Sequence, residues 1–397
     1  MAPKSSVSTI SPSAVPFWRD IRVIRILSQV AFAILVAVVA GLLYSNMKRG
    51  LETRGLSGGF DFLRLEAGFQ ISEGITYDPS DSYARAFLVG IVNTLRVTVV
   101  GIILATILGV VMGVARLSTN WLVNKIAAVY VELIRNTPLL VQLFVWYFAI
   151  ILKLPRVKES IALPGSIFIS NRGMALPWLV STASFRPWSY WLAAGAALAA
   201  GLWIVCARGE QRTGRPPFSR LWTGAAFVIP PFLGWFLTPG GSPLLLSKPT
   251  LQGWNYQGGL TLTPEFTALL LGLVVYTGAF IAEVVRAGIQ AVPRGQIEAA
   301  RAMGLTEGQT LRLVIFPQAL RVIIPPLTSQ YLNLAKNSSL AIAIGFPDLF
   351  NVAGTIFNQT GQAVQVIALI MASYLSMSLF TSLLMNLYNR RIQFVER

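Results

Sequence analysis

A chain of 397 residues that is 54% hydrophobic and only 12% charged carries about half the charge of a soluble domain, where roughly 25% is usual, so a set of water-soluble domains is excluded. Histidine is absent and cysteine occurs once, at Cys206, which removes the commonest metal ligand and general base and rules out an internal disulfide or a thiolate metal site. The formal charge of +16 does not indicate nucleic acid, because most Lys and Arg flank apolar runs, where they orient a membrane chain.

Eight apolar runs follow in order, at about 26–43, 87–115, 125–151, 188–207, 221–237, 265–287, 320–344 and 363–388. Each is long enough to cross a hydrocarbon core of about 30 Å as a helix, so the expected class is an all-α polytopic membrane protein with eight transmembrane helices. The first run is longer than a signal-peptide core and is followed by "LLYSNMKRG", without a small-residue cleavage site, so it reads as a retained span. With the N-terminus inside, the pieces 1–25, 116–125, 208–220, 286–321 and 390–397 are cytoplasmic and hold 18 of the 32 basic residues. The strongest anchor is "RGEQRTGRPPFSR" (208–220), and the opposing evidence is loop 153–187, which carries five cations on the outer side. Both termini are then cytoplasmic.

Two early features take plain structural readings. "GVVMG" (109–113) is a GxxxG spacing that lets two membrane helices approach closely. Trp178, Trp188, Trp191, Trp222 and Trp235 fit aromatic belts at the two interfaces.

Ionisable residues within spans cost about 2.5–3.5 kcal/mol at the centre on insertion scales and need a reason. Glu132 and Arg135 stand one turn apart on the third run, and Glu283 and Arg286 on the sixth, so each couple can pair. Pro138 follows Arg135, Asn136 and Thr137 and breaks a helix there. Near the end of the seventh run, after Pro325-Pro326, Lys336, Asn337, Ser338 and Ser339 form four consecutive polar residues. They cannot all face lipid, so part of the ring faces protein or water. These groups serve either as interhelical glue or as the lining of a polar route; a cation with hydroxyl and amide donors suits a carboxylate.

Between the sixth and seventh runs, residues 293–317 are too polar to span. "RGQIEAARAMGL" and "TEGQTLRLVIF" each read as a short helix, with Gly304 at the bend and Thr306 as an N-cap. Ile297, Ala300, Met303, Leu311, Val314 and Ile315 recur at helical spacing. Two amphipathic helices at the membrane face form either an interfacial hairpin or a surface for a partner.

"EAARAMGLTEGQTLRLVIFP" (298–317) resembles the EAA motif of ABC importer permeases: Glu298, Ala299, Ala300, Gly304 and Pro317 match, with Val314 and Phe316 in place of the usual Ile and Leu. "AFIAEVVRAGIQAVPRGQIEAA", "FPQALRVIIPPL" and "ELIRNTPLLVQLFVWYF" are similar to the polar amino-acid uptake family, Asn136 departing from the usual Arg-Gly-Thr-Pro. The extra first span, the segment "GFDFLRLEAGFQISEGITYDPSDSYARAFLVGIVNTL" and the extra spans before the EAA half resemble the long general L-amino-acid type. The resemblance implies a type I-like permease core with cytoplasmic coupling helices at 294–317. Residues 1–86 would add a span and a periplasmic segment, 87–152 the first part of the core, 153–260 an insertion with two spans, and 261–397 the second part.

It further implies a bacterial inner-membrane transport subunit with no catalytic and no metal-binding residues of its own. ATP and Mg would bind a partner ATP-hydrolysing subunit seated on the EAA loop; the lack of a P-loop lysine, HExxH or GxGxxG in this chain agrees with that. The other implied partners are a second, paralogous permease, a periplasmic amino-acid-binding protein and membrane lipid, and no nucleic acid. Glu132, Arg135, Asn136, Thr137, Lys336, Asn337, Ser338 and Ser339 become candidates for the substrate route. An ion-coupled secondary amino-acid carrier is the alternative, and it leaves the EAA loop unexplained.

Overall fold

A computed structural model describes residues 21–53, 59–213 and 219–392. Twelve α-helices follow one another among them: α1 (Ile21–Thr53), α2 (Tyr83–Ala115), α3 (Trp121–Arg135), α4 (Leu139–Phe144), α5 (Phe185–Thr213), α6 (Ser219–Leu237), α7 (Pro264–Gln290), α8 (Arg294–Ala302), α9 (Glu307–Thr310), α10 (Phe316–Asn337), α11 (Leu349–Thr360) and α12 (Ala363–Ile392). Six helical stretches are long and apolar enough to cross a membrane, and α6 adds a shorter apolar helix. The remaining expected span is broken: α3 and the stretch Leu139–Lys153 meet at 105°. The eight positions agree with the apolar runs, while the ends 1–20 and 393–397 lie outside the described residues, as does 214–218 of the arginine-rich loop.

The structure departs from a purely helical chain in its loops. Eight short strands, β1 (Ile161–Leu163), β2 (Ile167–Ser170), β3 (Gly173–Leu176), β4 (Trp178–Ser181), β5 (Leu244–Ser247), β6 (Thr250–Gln252), β7 (Asn255–Gln257) and β8 (Leu260–Leu262), flank the α5–α6 hairpin. They form an antiparallel sheet in the order β1-β2-β3-β8 and two small ribbons, β4-β5 and β6-β7. Pairing of Met174 with Leu262 and Leu176 with Leu260 places 153–184 beside the start of α7, on the face opposite the EAA loop. The broken α3–α4 passage thus leads from the end of α2 to the face where α7 begins.

The core is a bundle of α2, α7, α10 and α12, with α3 and α11 packed on it. α2 and α7 lie closest. A Cβ at Gly109 would stand 2.5 Å from Ile281 Cβ, and one at Gly113 would stand 2.7 Å from the Ala282 carbonyl, so the GxxxG spacing brings two backbones together as expected. Tyr130 donates to the Val275 carbonyl at 2.7 Å and ties α3 to α7; the Thr106 and Tyr331 hydroxyls, 2.8 Å apart, tie α2 to α10. α5 and α6 form a hairpin in which Trp188 meets Trp235 edge-on at 5.8 Å and donates to the Pro231 carbonyl at 2.9 Å, while a Cβ at Gly234 would collide with Trp191. Those three tryptophans therefore pack helix on helix instead of forming a belt; Trp178 and Trp222 remain exposed.

The segment 59–82 is clamped to the bundle on the sheet face. Phe62 and Ala67 join Phe87 of α2, Val352 and Ile356 of α11 and Val366 of α12 in a second apolar cluster. Beside it lies Glu73, whose side chain is 7% exposed and faces Arg96 of α2 at 3.7 Å. Thr263, the N-cap of α7, donates its hydroxyl to the Glu73 carboxylate at 2.6 Å, and Asn93 donates to the carbonyls of both Glu73 and Pro347 at 2.9 Å. Burial raises the Glu73 carboxyl above its ordinary value, against the pull of Thr263 and Arg96.

Gly109→Leu is expected to disrupt the α2–α7 seam, since overpacking costs about 1–3 kcal/mol or more, whereas Gly41→Leu in α1, with open space around it, is expected to be silent. Size-exclusion profiles of the two variants in mild detergent compare them directly, and equal behaviour contradicts the close seam. Because the Glu73 carboxyl is raised, its contribution to stability is full below the ordinary value of 4.5 and is lost as pH rises through the raised one. Glu73→Gln is expected to flatten that pH dependence while keeping an acceptor for Thr263. Glu73→Ala leaves Arg96 unpaired and is expected to cost about 1–3 kcal/mol. Thermal midpoints of the purified chain across acidic to neutral pH read both.

Candidate functional site: a helix joining two membrane faces

One helix, α7, carries polar groups at both ends and borders a cavity midway. At its sheet-face start, Glu265 accepts from the Tyr147 hydroxyl at 2.7 Å, two residues beyond the Thr263–Glu73 contact. At its EAA-face end, Glu283 pairs with Arg286 and with Arg116 at 2.5 Å, closing the end of α2 onto the end of α7. Arg116 also reaches Glu132 of α3 at 4.0 Å, although Glu132 is largely exposed.

The expected Glu283–Arg286 pair forms, but the expected Glu132–Arg135 pair does not. Glu132 turns to Arg116, and the Arg135 guanidinium lies over the Phe280 ring of α7, 5.2 Å from its centroid. One turn of helix permitted that pair; a third cation at the end of α2 and an aromatic face on α7 decided otherwise.

The break after Arg135 is locally complete. Asn136 and Thr137 fold their side chains back onto the carbonyls of Glu132 and Leu133, both at 2.8 Å. Pro138 opens the turn, and the carboxamide of buried Gln142 donates to the carbonyls of Ile134 and Thr137 at 2.9 and 3.0 Å. Carbonyls freed by a proline within a bilayer must find donors in the protein, and Gln142 supplies them. The sequence reading passed over Gln142, four residues after a proline in an apolar run, which was the available signal.

Between α7 and α10 lies a cavity of about 230 Å³ lined by Tyr276, Thr277, Phe280, Gln330, Asn333 and Asn337. A water occupies roughly 30 Å³ of liquid, so the space holds several waters or one small polar solute. Its walls present hydroxyl and carboxamide groups and an aromatic ring, with Arg135 stacked behind Phe280. Of the residues singled out from sequence, Asn337 lines the cavity and Arg135 abuts its wall. Lys336 points to the exposed side of α10; Ser338 is buried and donates to the Ala335 carbonyl at 2.8 Å, and Ser339 donates to the Lys336 carbonyl at 2.8 Å. Gln330, Asn333 and Asn337 recur three and four residues apart and therefore share a helix face. That polar stripe is visible in "QYLNLAKN", and a reading by consecutive residues missed it.

α10 runs unbroken through Pro325 and Pro326, although proline commonly kinks or breaks a helix interior. It tightens to a 3-10 helix only at Ser338–Ile344, ending on Gly345 at φ 78°.

The EAA loop has defined termini. α8 closes when Leu305 donates to the Ala300 carbonyl at 3.2 Å and Gly304 to that of Arg301 at 2.9 Å, with Gly304 at φ 78°. This is the Schellman arrangement, in which a left-handed glycine satisfies the last carbonyls. Thr306 then caps α9 in a reciprocal capping box with Gln309. The second expected helix is shorter than its pattern suggested: four residues of α9 pass into a π-helical turn, Leu311–Ile315, that feeds α10 at Phe316–Pro317. Ala300 is buried and Ile297 packs on the core, whereas Glu298, Ala299 and Glu307 are exposed and Met303 is 81% exposed. Leu311 and Leu313 are exposed beside them.

Residues 218–394 match the model of the family described as "Binding-protein-dependent transport system inner membrane component". The chain is 47% identical to the amino-acid ABC transporter permease protein YhdX of Escherichia coli K12, over 94% of both chains. It is 46% identical to the general L-amino acid transport system permease protein AapQ of Rhizobium johnstonii, over 89% of this chain and 88% of that one. It is 39% identical to the glutamate/glutamine/aspartate/asparagine transport system permease protein BztB of Rhodobacter capsulatus, over 93% and 94%. A multi-pass chain with a polar cavity between two of its apolar helices, and whose end-to-end relatives are transport permeases rather than ATPases, belongs to the family of amino-acid ABC transporter permeases.

Proposed function

We propose that this chain is the permease subunit of an importer of L-amino acids in a bacterial inner membrane, with the EAA face cytoplasmic and the sheet face outside. A partner ATPase binds ATP and Mg, a soluble binding protein delivers substrate, and a second, paralogous permease completes the route. The observation that carries the reading is the EAA loop: a hairpin locked by Gly304 and Thr306 that buries Ala300 and packs Ile297 on the core while Glu298 and Met303 stay exposed. An exposed methionine rimmed by carboxylates is a surface kept for a partner, since large apolar side chains otherwise turn away from water.

The route runs through the cavity between α7 and α10. Thr277, Gln330, Asn333 and Asn337 offer donors and acceptors without fixed charge, which suits zwitterions of varied side chain, and Arg135 behind Phe280 supplies a positive field for a carboxylate. Lys336 and Ser339 stand on the approach to this lining, and Glu132, Asn136, Thr137 and Ser338 hold its framework. Movement of the ATPase would reach the cavity through α8–α10, which is continuous from the EAA loop to Asn337 apart from the bend at Gly304. An ion-coupled carrier has no comparable support: family membership and the exposed EAA surface both favour an ATP-driven partner.

Gly304→Val forces a β-branched residue into a left-handed conformation, and Glu298→Lys reverses a presented charge. Each is expected to lower ATP-driven amino-acid uptake at least tenfold with normal amounts of chain in the membrane; uptake within twofold of wild type for both variants would reduce the loop to an interfacial hairpin. Asn333→Leu keeps the helix but removes one polar wall of the cavity. It is expected to depress uptake while sparing basal ATP hydrolysis of the complex, and unaltered uptake for every amino acid tested removes the cavity from the route.

A further inference from the structure

The two strand-bearing loops, 153–184 and 238–263, hold five cations, Lys153, Arg156, Lys158, Arg172 and Lys248, against one acid, Glu159. Basic residues in outer loops oppose the bias that orients membrane chains, so they carry a cost unless they serve a purpose there. Three of them converge. Arg156, Lys158 and Arg172 line one recess of about 460 Å³ with Glu159, Asn171 and Trp254. Trp254 is 73% exposed, and the Lys158 ammonium sits over its ring, 4.2 Å from the centroid. Arg172 is held in place by a hydrogen bond to Asn255, and among the described residues no carboxylate forms an ion pair with any of the three.

The recess is also mechanically joined to the bundle. Gly173, next to Arg172, adopts φ 96° and packs so closely that a Cβ would overlap the Leu262 carbonyl and crowd Thr263 and Pro264. β3 then pairs with β8, and β8 leads directly into Thr263, the N-cap of α7 that also holds Glu73. A load on Arg172 therefore reaches the start of the helix that borders the cavity.

We propose that this recess is the outer docking seat for an acidic surface of the soluble binding protein, with Arg156 and Lys158 steering it and Trp254 as its contact anchor. An exposed tryptophan among arginines has the composition of a binding hot spot, and like-signed cations select a partner of opposite charge and speed its encounter. The proposal rests on the importer reading, and the two fail differently. If the chain is not an importer permease, the wild-type complex itself shows no stimulation of ATP hydrolysis by binding protein.

The test uses the whole complex in nanodiscs of zwitterionic lipid, titrated with its substrate-loaded binding protein while ATP hydrolysis is followed. Arg156→Glu with Lys158→Glu is expected to raise the half-stimulating concentration at least tenfold and to leave basal and maximal rates unchanged. Raising salt should weaken the wild type and not the double variant, because screening acts on attraction that the variant lacks. Trp254→Ala is expected to raise the half-stimulating concentration without altering the salt dependence. If the glutamate pair fails to assemble, Arg156→Gln with Lys158→Gln is read in its place, with an expected rise of several-fold. A half-stimulating concentration within twofold of wild type in these variants overturns the proposal. So does a wild type that responds to anionic lipid at this recess while its binding-protein titration is unmoved by the substitutions, which would make the seat one for lipid headgroups.

Discussion

The rest of the structure depends on the contact between α2 and α7 at Gly109 and Gly113. In hydrocarbon, apolar side chains gain nothing by leaving lipid for one another, so helices associate through close packing and internal hydrogen bonds. Glycines on one helix let Ile281 and Ala282 of the other reach its backbone, and the crossing is then closed at the EAA face by Arg116 and Glu283. On the sheet face, Glu73 spans the two helices through Arg96 and Thr263. α7 is thus tied to α2 at both ends and along the seam between them, and in the proposed route the opening beside it comes from the helix opposite, α10.

α10 has the features of that moving partner. It begins in a π-helical turn from the EAA loop and ends in a 3-10 stretch at Ser338–Ile344, both departures from ideal α geometry that ease a change of pitch. Its stripe of Gln330, Asn333 and Asn337 faces α7 across the cavity. Polar groups lining a space beside a fixed helix are what a solute crossing a bilayer needs to replace its water.

The spans were legible because length and apolarity dictate them, and the EAA loop because its glycine and threonine carry local rules of helix termination and capping. Gly304 and Thr306 act over four or five residues, within reach of sequence. What escaped was decided between elements distant in the chain. Arg135 chose Phe280 over Glu132, and Arg116 took Glu132 and Glu283 together, neither of which spacing along one helix can reveal. Lys336 drew notice as a cation in an apolar run, yet the helix turned it outward and gave the cavity to residues a turn apart. The strands went unseen because three- or four-residue runs in loops have no periodicity to read. The roles assigned to these residues stand as proposals on their geometry.

Aqueous access to Asn333 tests the central claim, that the space between α7 and α10 is the route, most directly. The native Cys206 is the chain's one cysteine, so a Cys206→Ser, Asn333→Cys chain in its assembled complex presents a single thiol, whose reaction with a small membrane-impermeant reagent is timed from each side. The account predicts that the thiol reacts, that the reactive side changes when the partner ATPase is trapped with nucleotide, and that transported amino acid slows the reaction. A thiol at 333 that reacts from neither side in either state would show a sealed packing defect and contradict the account.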